Sequence, residues 1–170
     1  SVLSQNYTNL EYIVIDGNSS DGTQAILEEF RSRISLLLIE TDNGLYDALN
    51  KGIVRSRGDL IGFLHSDDYF ANNNVIREIA QRSERDEADV VYGDLDYIRN
   101  DSNNSILRHW RAGIFSKRKL KYGWMPPHPS FYASGDIYKR IGGFNLDYKI
   151  ASDYDCMMRI LLQDISVSYI

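Results

Sequence analysis

Cysteine, long apolar runs and surplus positive charge are all scarce in this chain of 170 residues, and each scarcity removes a class of protein. A single cysteine, Cys156, excludes an intrachain disulfide and any multi-cysteine zinc site, which fits a reducing compartment and a cytoplasmic protein. No stretch approaches the roughly 18 to 20 apolar residues that span a bilayer. The longest obvious run, residues 34–39, has Ser35 inside it. Lys and Arg number 19 against 24 Asp and Glu, a formal net charge of -5, so the chain lacks the basic footprint of wholesale nucleic-acid binding. A GxxxxGK phosphate loop is also missing, which disfavours a P-loop nucleotide hydrolase. The amino end, SVLSQNYTN, has no basic segment followed by an apolar one and reads as the tail of a helix entering a turn, so the chain is expected to begin in mid-fold.

What remains is 43% hydrophobic and 25% charged, a balance that suits one globular domain with a sizeable core. Compact β-rich runs alternate with helical patterns. The runs are EYIVID at 11–16, SLLLIE at 35–40, DLIGFLH at 59–65 and DVVYGDL at 89–95. Between the first two, Asp21 and Gln24 approximate a capping box, and Ile26, Leu27, Phe30 and Ile34 form an expected buried stripe. Leu45, Ala48, Leu49, Gly52 and Ile53 recur at helical spacing, as do Val75, Ile76, Ile79 and Ala80. Four strands in βαβα order predict an α/β, Rossmann-like, doubly wound and mostly parallel sheet with helices on both faces. Beyond Tyr97 the rhythm changes to an α+β half. It has turn-rich NDSNNS at 100–105, ILRHWRA as a strand, a PP pair that blocks helix, a helix from Ser152 to Gln163 carrying Tyr154, Met157, Met158 and Leu161 inward, and a last strand ISVSYI.

In open α/β sheets ligands bind beyond the carboxyl ends of the strands. Asp16, Asp42, Asp67 with Asp68, and Asp94 with Asp96 gather there in this sequence. Asp is also common in turns, so the collective placement carries the weight. HSDD sets two carboxylates directly after a buried strand. Hard oxygen donors suit Mg²⁺ or Mn²⁺, which completes its shell with water and substrate phosphates, and so points to a diphosphate substrate. DGNSSDGT is no calcium loop: counted from Asp16, position six is Asp21 rather than glycine and position twelve is Leu27 rather than glutamate.

IVIDGNSSDGT, DNGLYDALNKGI, GDLIGFLHSDDYF, GGFN and ASDYDCMMRI, in this order, resemble the successive blocks of a family 2 glycosyltransferase. The resemblance covers nearly the whole chain and implies a GT-A fold. It divides a single catalytic domain into a nucleotide-sugar half, 1–97, and an acceptor half, 98–170, with a first strand missing before Ser1 and the carboxyl end also cut short. It further implies that Asp16 lies near the nucleotide base, Asp67 is the metal-binding acid, Asp68 sits beside the ribose and diphosphate, and Asp153 is the catalytic base. Asp47 and Lys51, on one face of their helix with Asn50, would then meet sugar hydroxyls or phosphate, the alternative being a solvated face.

His65 stands where the fullest form of the motif has an aspartate, and reads better as a strand-end residue bonded to backbone than as a metal ligand. Asp155, four residues before Arg159, is explained by an ion pair, and capping is the competing role for Asp153. Arg108, Arg111, Lys117, Arg118, Lys119 and Lys121, flanked by Trp110 and Trp124 with no acid among them, read most commonly as a solvated face, the alternative being a local basic patch that takes an anion. A lipid-linked diphosphate acceptor at the inner face of the membrane would fit, and His128 follows close by. The implied activity is inverting, metal-assisted sugar transfer from a nucleotide diphosphate sugar to a saccharide or lipid-linked acceptor hydroxyl, as in polysaccharide or glycolipid synthesis. The rivals are a non-catalytic nucleotide-sugar-binding domain and a nucleotidyltransferase.

Overall fold

The computed structural model describes residues 1–99 and 105–170, so most of the NDSNNS turn lies outside the described residues. The first strand, β1 (Ile13–Asp16), pairs in parallel with β2 (Leu36–Ile39), Ile13 opposite Leu36 and Asp16 opposite Ile39. Between them runs α1 (Thr23–Glu29), and after β2 comes α2 (Leu45–Arg55), which packs on β1. A second sheet holds β3 (Leu60–Gly62), β7 (Phe131–Ser134), β4 (Val90–Tyr92) and β8 (Val167–Tyr169), in that spatial order. Here β4 and β8 are parallel, while β7 runs antiparallel to both β3 and β4. The hairpin β5 (Leu95–Ile98) and β6 (Ile106–Trp110) stands apart. Among the described residues no strand joins β1 to β3.

Strand periodicity distributes the core over both faces of the second sheet. Along β4, Val90 and Tyr92 enter one cluster and Val91 the other; along β7, Phe131 and Ala133 alternate with Tyr132 in the same way. The larger cluster is closed by α5 (Gly135–Ile141) and α6 (Ser152–Leu161) through Ile137, Tyr138, Cys156, Met157, Ile160 and Leu161. On the opposite face lies α3 (Val75–Asp86), with Ile76 and Ile79. The result is a mixed sheet flanked by helices, the Rossmann-like architecture expected. Its antiparallel member β7 was not expected from sequence. Gly62 pairs with Tyr132, whose ring lies where a Cβ would stand, only 2.1 Å away. Glycine there lets the tyrosine cover the strand and seal the smaller cluster.

Two expected packing patterns fail. Ile26 is 59% exposed and no residue of α1 is buried, because α1 makes its main contact with the short turn Arg31–Arg33 instead of lying across a sheet face. Ile34 alone of that stripe is buried. Tyr154 is 42% exposed, since Cys156, Met157, Ile160 and Leu161 define the inward stripe of α6 and Tyr154 falls outside it. The capping box is also altered: Gly22 is the N-cap of α1, Asp21 binds Thr23, and the Gln24 amide donates back to Ser19 O at 2.8 Å.

Candidate active site

The site is built from the turns after β1, β2 and β3 together with the start of α6. Asp16 closes β1 with only 7% of its surface exposed, and its carboxylate accepts from Ser19 N at 2.9 Å and Ser19 Oγ at 2.6 Å. It thereby folds the GNSS turn back on the strand. The next residue is glycine for a spatial reason, since a Cβ on Gly17 would lie 2.5 Å from Asp42 Oδ2. The turns after β1 and β2 are therefore in contact.

Asp47 and Lys51 turn toward the loop before α2. Asn43 N–H donates to Asp47 Oδ2 at 2.9 Å and holds this carboxyl below its usual range. Lys51 Nζ lies 3.0 Å from Glu40 Oε1, 3.4 Å from Asp47 Oδ2 and 3.0 Å from Thr41 O. The pair braces the TDNG turn. Asn50, one residue away, is no solvated residue: its amide donates to Phe144 O at 2.9 Å and its Oδ1 accepts from Phe144 N at 2.8 Å. This double bond pins the GGFN loop to α2, and a Cβ on Gly143 would collide with Asn50 Oδ1 at 2.4 Å.

After β3 the chain turns through His65–Asp68, closed by Asp68 N–H donating to His65 O at 3.1 Å. Asp67 and Asp68 are exposed, and among the described residues neither carboxylate forms an ion pair. No group of three or more His, Cys, Asp and Glu side chains gathers among the described residues, so an all-protein metal cage is not what this turn offers. Two adjacent hard-oxygen donors with open surroundings do fit Mg²⁺ or Mn²⁺, which retains waters and takes substrate phosphate oxygens. Asp94 and Asp96, by contrast, are spent on the hairpin: Arg111 lies 3.1 Å from Asp94, and His109 Nδ1 lies 2.6 Å from Asp96.

A chain of rings links the end of β3 to the start of α6. The His65 ring is 5.6 Å from His128, His128 is 5.8 Å from Phe144, and Phe144 stacks on Tyr46 at 5.7 Å. Tyr46 Oη then donates to Asp153 Oδ1 at 3.1 Å. Asp153 does not cap its helix. The N-cap is Ala151 with φ 66°, and Ser152 Oγ donates to Asn145 O at 2.8 Å. The carboxylate is thus held by a phenol from α2 in the first turn of α6. Asp155 behaves as expected, bound to Arg159 at 2.8 Å, while the Arg159 guanidinium also donates to Ile141 O and Gly143 O and secures the glycine loop from the other side.

His128 occupies the middle of this ring chain, and its Nε2 is a buried atom with no hydrogen-bond partner among the described residues. Burial pushes the imidazole down to about 4, reinforced by His65 and opposed by Asp153. An unfolded chain takes up this proton near 6.5, so between there and about 4 the unfolded state binds more protons and stability declines as pH falls. The melting temperature should therefore drop across this window, and His128→Gln should flatten the slope relative to wild type. Parallel slopes in the two proteins would show that His128 is not buried neutral.

In a mixed α/β sheet of this kind the turns beyond the strand ends are where ligands bind, and here those turns are acidic. The family model described as glycosyl transferase family 2 matches residues 1–158, and the chain belongs to that family. It is 34% identical over 167 residues to an uncharacterized glycosyltransferase of Mycobacterium tuberculosis, covering 95% of this chain and 62% of that protein. A PGL/p-HBAD biosynthesis glycosyltransferase of Mycobacterium bovis is 29% identical, over 94% of this chain and 61% of its own length. The chain thus spans about three fifths of these relatives, 62% and 61%. Among solved structures, S. aureus TarS in complex with UDP-GlcNAc superposes with a TM-score of 0.75 at 19% identity, covering 99% of this chain and 50% of that one. A mannosyltransferase of Pyrobaculum calidifontis in complex with GDP-Man and Mn²⁺ gives 0.72 at 16%, with 99% and 48% coverage. These likenesses show a GT-A-like fold.

Sequence reasoning missed Tyr46 and Phe144, and set Asn50 on a helix face without its partner. The glycine pair before Phe144, both with positive φ, was the available signal that the GGFN turn is shaped to meet a partner.

Proposed function

We propose that this domain transfers a sugar from a nucleoside diphosphate sugar to an acceptor hydroxyl by single displacement with inversion. The observation that carries the reading is the Tyr46–Asp153 hydrogen bond at one end of the ring chain whose other end, His65, begins the turn bearing Asp67 and Asp68. This packed chain of rings connects the start of α6, which carries Asp153, to the turn that carries Asp67 and Asp68, and so supports reading them as parts of one site. Asp153 accepts the proton of the acceptor hydroxyl as its oxygen attacks the anomeric carbon, and the diphosphate departs from the opposite face. A Mn²⁺ or Mg²⁺ held by Asp67, with Asp68 beside it, supplies neutralisation of the leaving diphosphate when bound. Asp16 shapes the turn that borders the base, and the Asp47–Lys51 pair positions the loop preceding α2 at the donor. Two similar structures hold UDP-GlcNAc, and GDP-Man with Mn²⁺, which supports this donor class. The acceptor is a saccharide or lipid-linked saccharide, and the working place is the cytoplasmic side of the cell envelope.

A thermal-shift screen tests the donor. A nucleoside diphosphate sugar with Mn²⁺ should raise the melting temperature, by an amount equivalent to about 2.7 kcal/mol at a hundredfold excess over Kd, and EDTA should abolish most of it. Absence of a shift with every uridine, guanosine and thymidine diphosphate sugar would reject the donor assignment. Binding with no sugar transferred to any acceptor would instead favour a domain that only binds.

A further inference from the structure

Apart from the candidate site, α4 (Lys117–Leu120) carries a dense group of cations. Leu120 anchors this turn in the main core at 4% exposure, while Lys117, Arg118, Lys119 and Lys121 are exposed around it. Lys51, Arg111 and Arg159 are paired with carboxylates, whereas among the described residues Arg31, Arg33 and Arg55 are not; what distinguishes the α4 segment is four cations within five positions with no acid between them. Among the described residues these four form no ion pair, although the whole chain carries a formal charge of -5. Their contacts are to neutral groups: Lys117 Nζ donates to Gln163 O at 3.0 Å, and Lys119 Nζ donates to Ile114 O at 2.8 Å and lies 5.7 Å from the Trp124 ring. Two bulky apolar side chains flank the cluster and face water, Ile114 at 75% exposure and Tyr122 at 87%.

We propose that this surface, Ile114 with Lys117–Tyr122, docks the protein on an anionic lipid bilayer. The unpaired cations match the negative surface potential of acidic headgroups, and Ile114 and Tyr122 lose their contact with water by entering the interface. A soluble polyanion would satisfy the charges and leave both apolar side chains exposed, so the bilayer accounts for more of the surface. Among the described residues no helix is long and apolar enough to cross a membrane, which leaves this contact peripheral. The same segment continues through Trp124, Pro126 and Pro127 to His128 in the candidate site. Docking would bring the segment that ends at His128 close to lipid, where a lipid-linked acceptor lies, a consequence that rests on the proposed transfer; the docking itself does not.

Cosedimentation of the full chain with vesicles needs no turnover, so it separates this proposal from the catalytic one. Phosphatidylglycerol vesicles should retain at least about tenfold more protein than phosphatidylcholine vesicles, and about 1 M salt should remove most of the difference. Arg118→Glu with Lys121→Glu, side chains without hydrogen-bond partners among the described residues, should lower binding by about tenfold, with an unchanged circular dichroism melt. Ile114→Ser with Tyr122→Ser should weaken it several-fold and leave the remainder sensitive to salt. Equal retention on both lipids, or no loss in the charge-reversed variant, overturns the proposal. So does full vesicle binding by the Ile114/Tyr122 variant together with competition by heparin, which would identify a soluble polyanion site.

Discussion

Asp153→Asn is expected to reduce sugar transfer by about 10²- to 10⁴-fold, the usual contribution of a positioned general base. The substitution suits the site because asparagine retains an oxygen to accept from Tyr46 Oη while losing the ability to take a proton. Asp153 does not cap α6, so the helix end should survive the change and the melting temperature should move by little. Tyr46→Phe separates position from chemistry: it removes the 3.1 Å hydrogen bond and leaves the carboxylate intact, so its rate loss should be far smaller. Initial rates with saturating donor and Mn²⁺, beside thermal melts, measure both. An Asp153→Asn enzyme of near-normal rate would move the base elsewhere, and a large loss accompanied by unfolding would return Asp153 to a structural role.

The parts of the fold legible in sequence are those where local pattern and tertiary environment agree. The apolar centres of β1, β2, β3 and β4 were recognisable because buried strands read as continuous apolar runs. The four residues of β7 escaped notice, following a proline-rich stretch and too short for their period to be distinguished from irregular chain. Their position between β3 and β4 is a long-range choice, enforced by Tyr132 covering Gly62 and by Phe131 and Ala133 meeting the helices. The stripe on α1 had the correct spacing, but spacing does not tell a helix which surface awaits it. Asn50 shows the converse. On its helix face, beside Asp47 and Lys51, it looked solvated, whereas the Phe144 backbone 94 residues later requires both ends of its amide. Position at strand ends brought the acidic turns into view; the ring chain from His65 to Tyr46 depends on tertiary packing and left no periodic trace.

Asp67→Ala should produce the other large loss, about 10²- to 10³-fold in transfer, comparable to removing one group that stabilises developing charge. Its second consequence is more diagnostic. The wild-type domain should gain thermal stability from donor and Mn²⁺ together, and Asp67→Ala should lose that joint gain while melting alone within about 0.5 kcal/mol of wild type. The expectation of an unaltered apo protein follows from exposure: the carboxylate makes no ion pair among the described residues, so none is lost with it. Asp68→Ala should show the same direction with a smaller size, because its backbone N–H, which closes the turn on His65 O, is retained. If Asp67→Ala keeps the Mn²⁺-dependent shift, the cation is held by other groups. Loss of the shift with transfer intact would show that charge on the departing diphosphate is balanced by protein side chains.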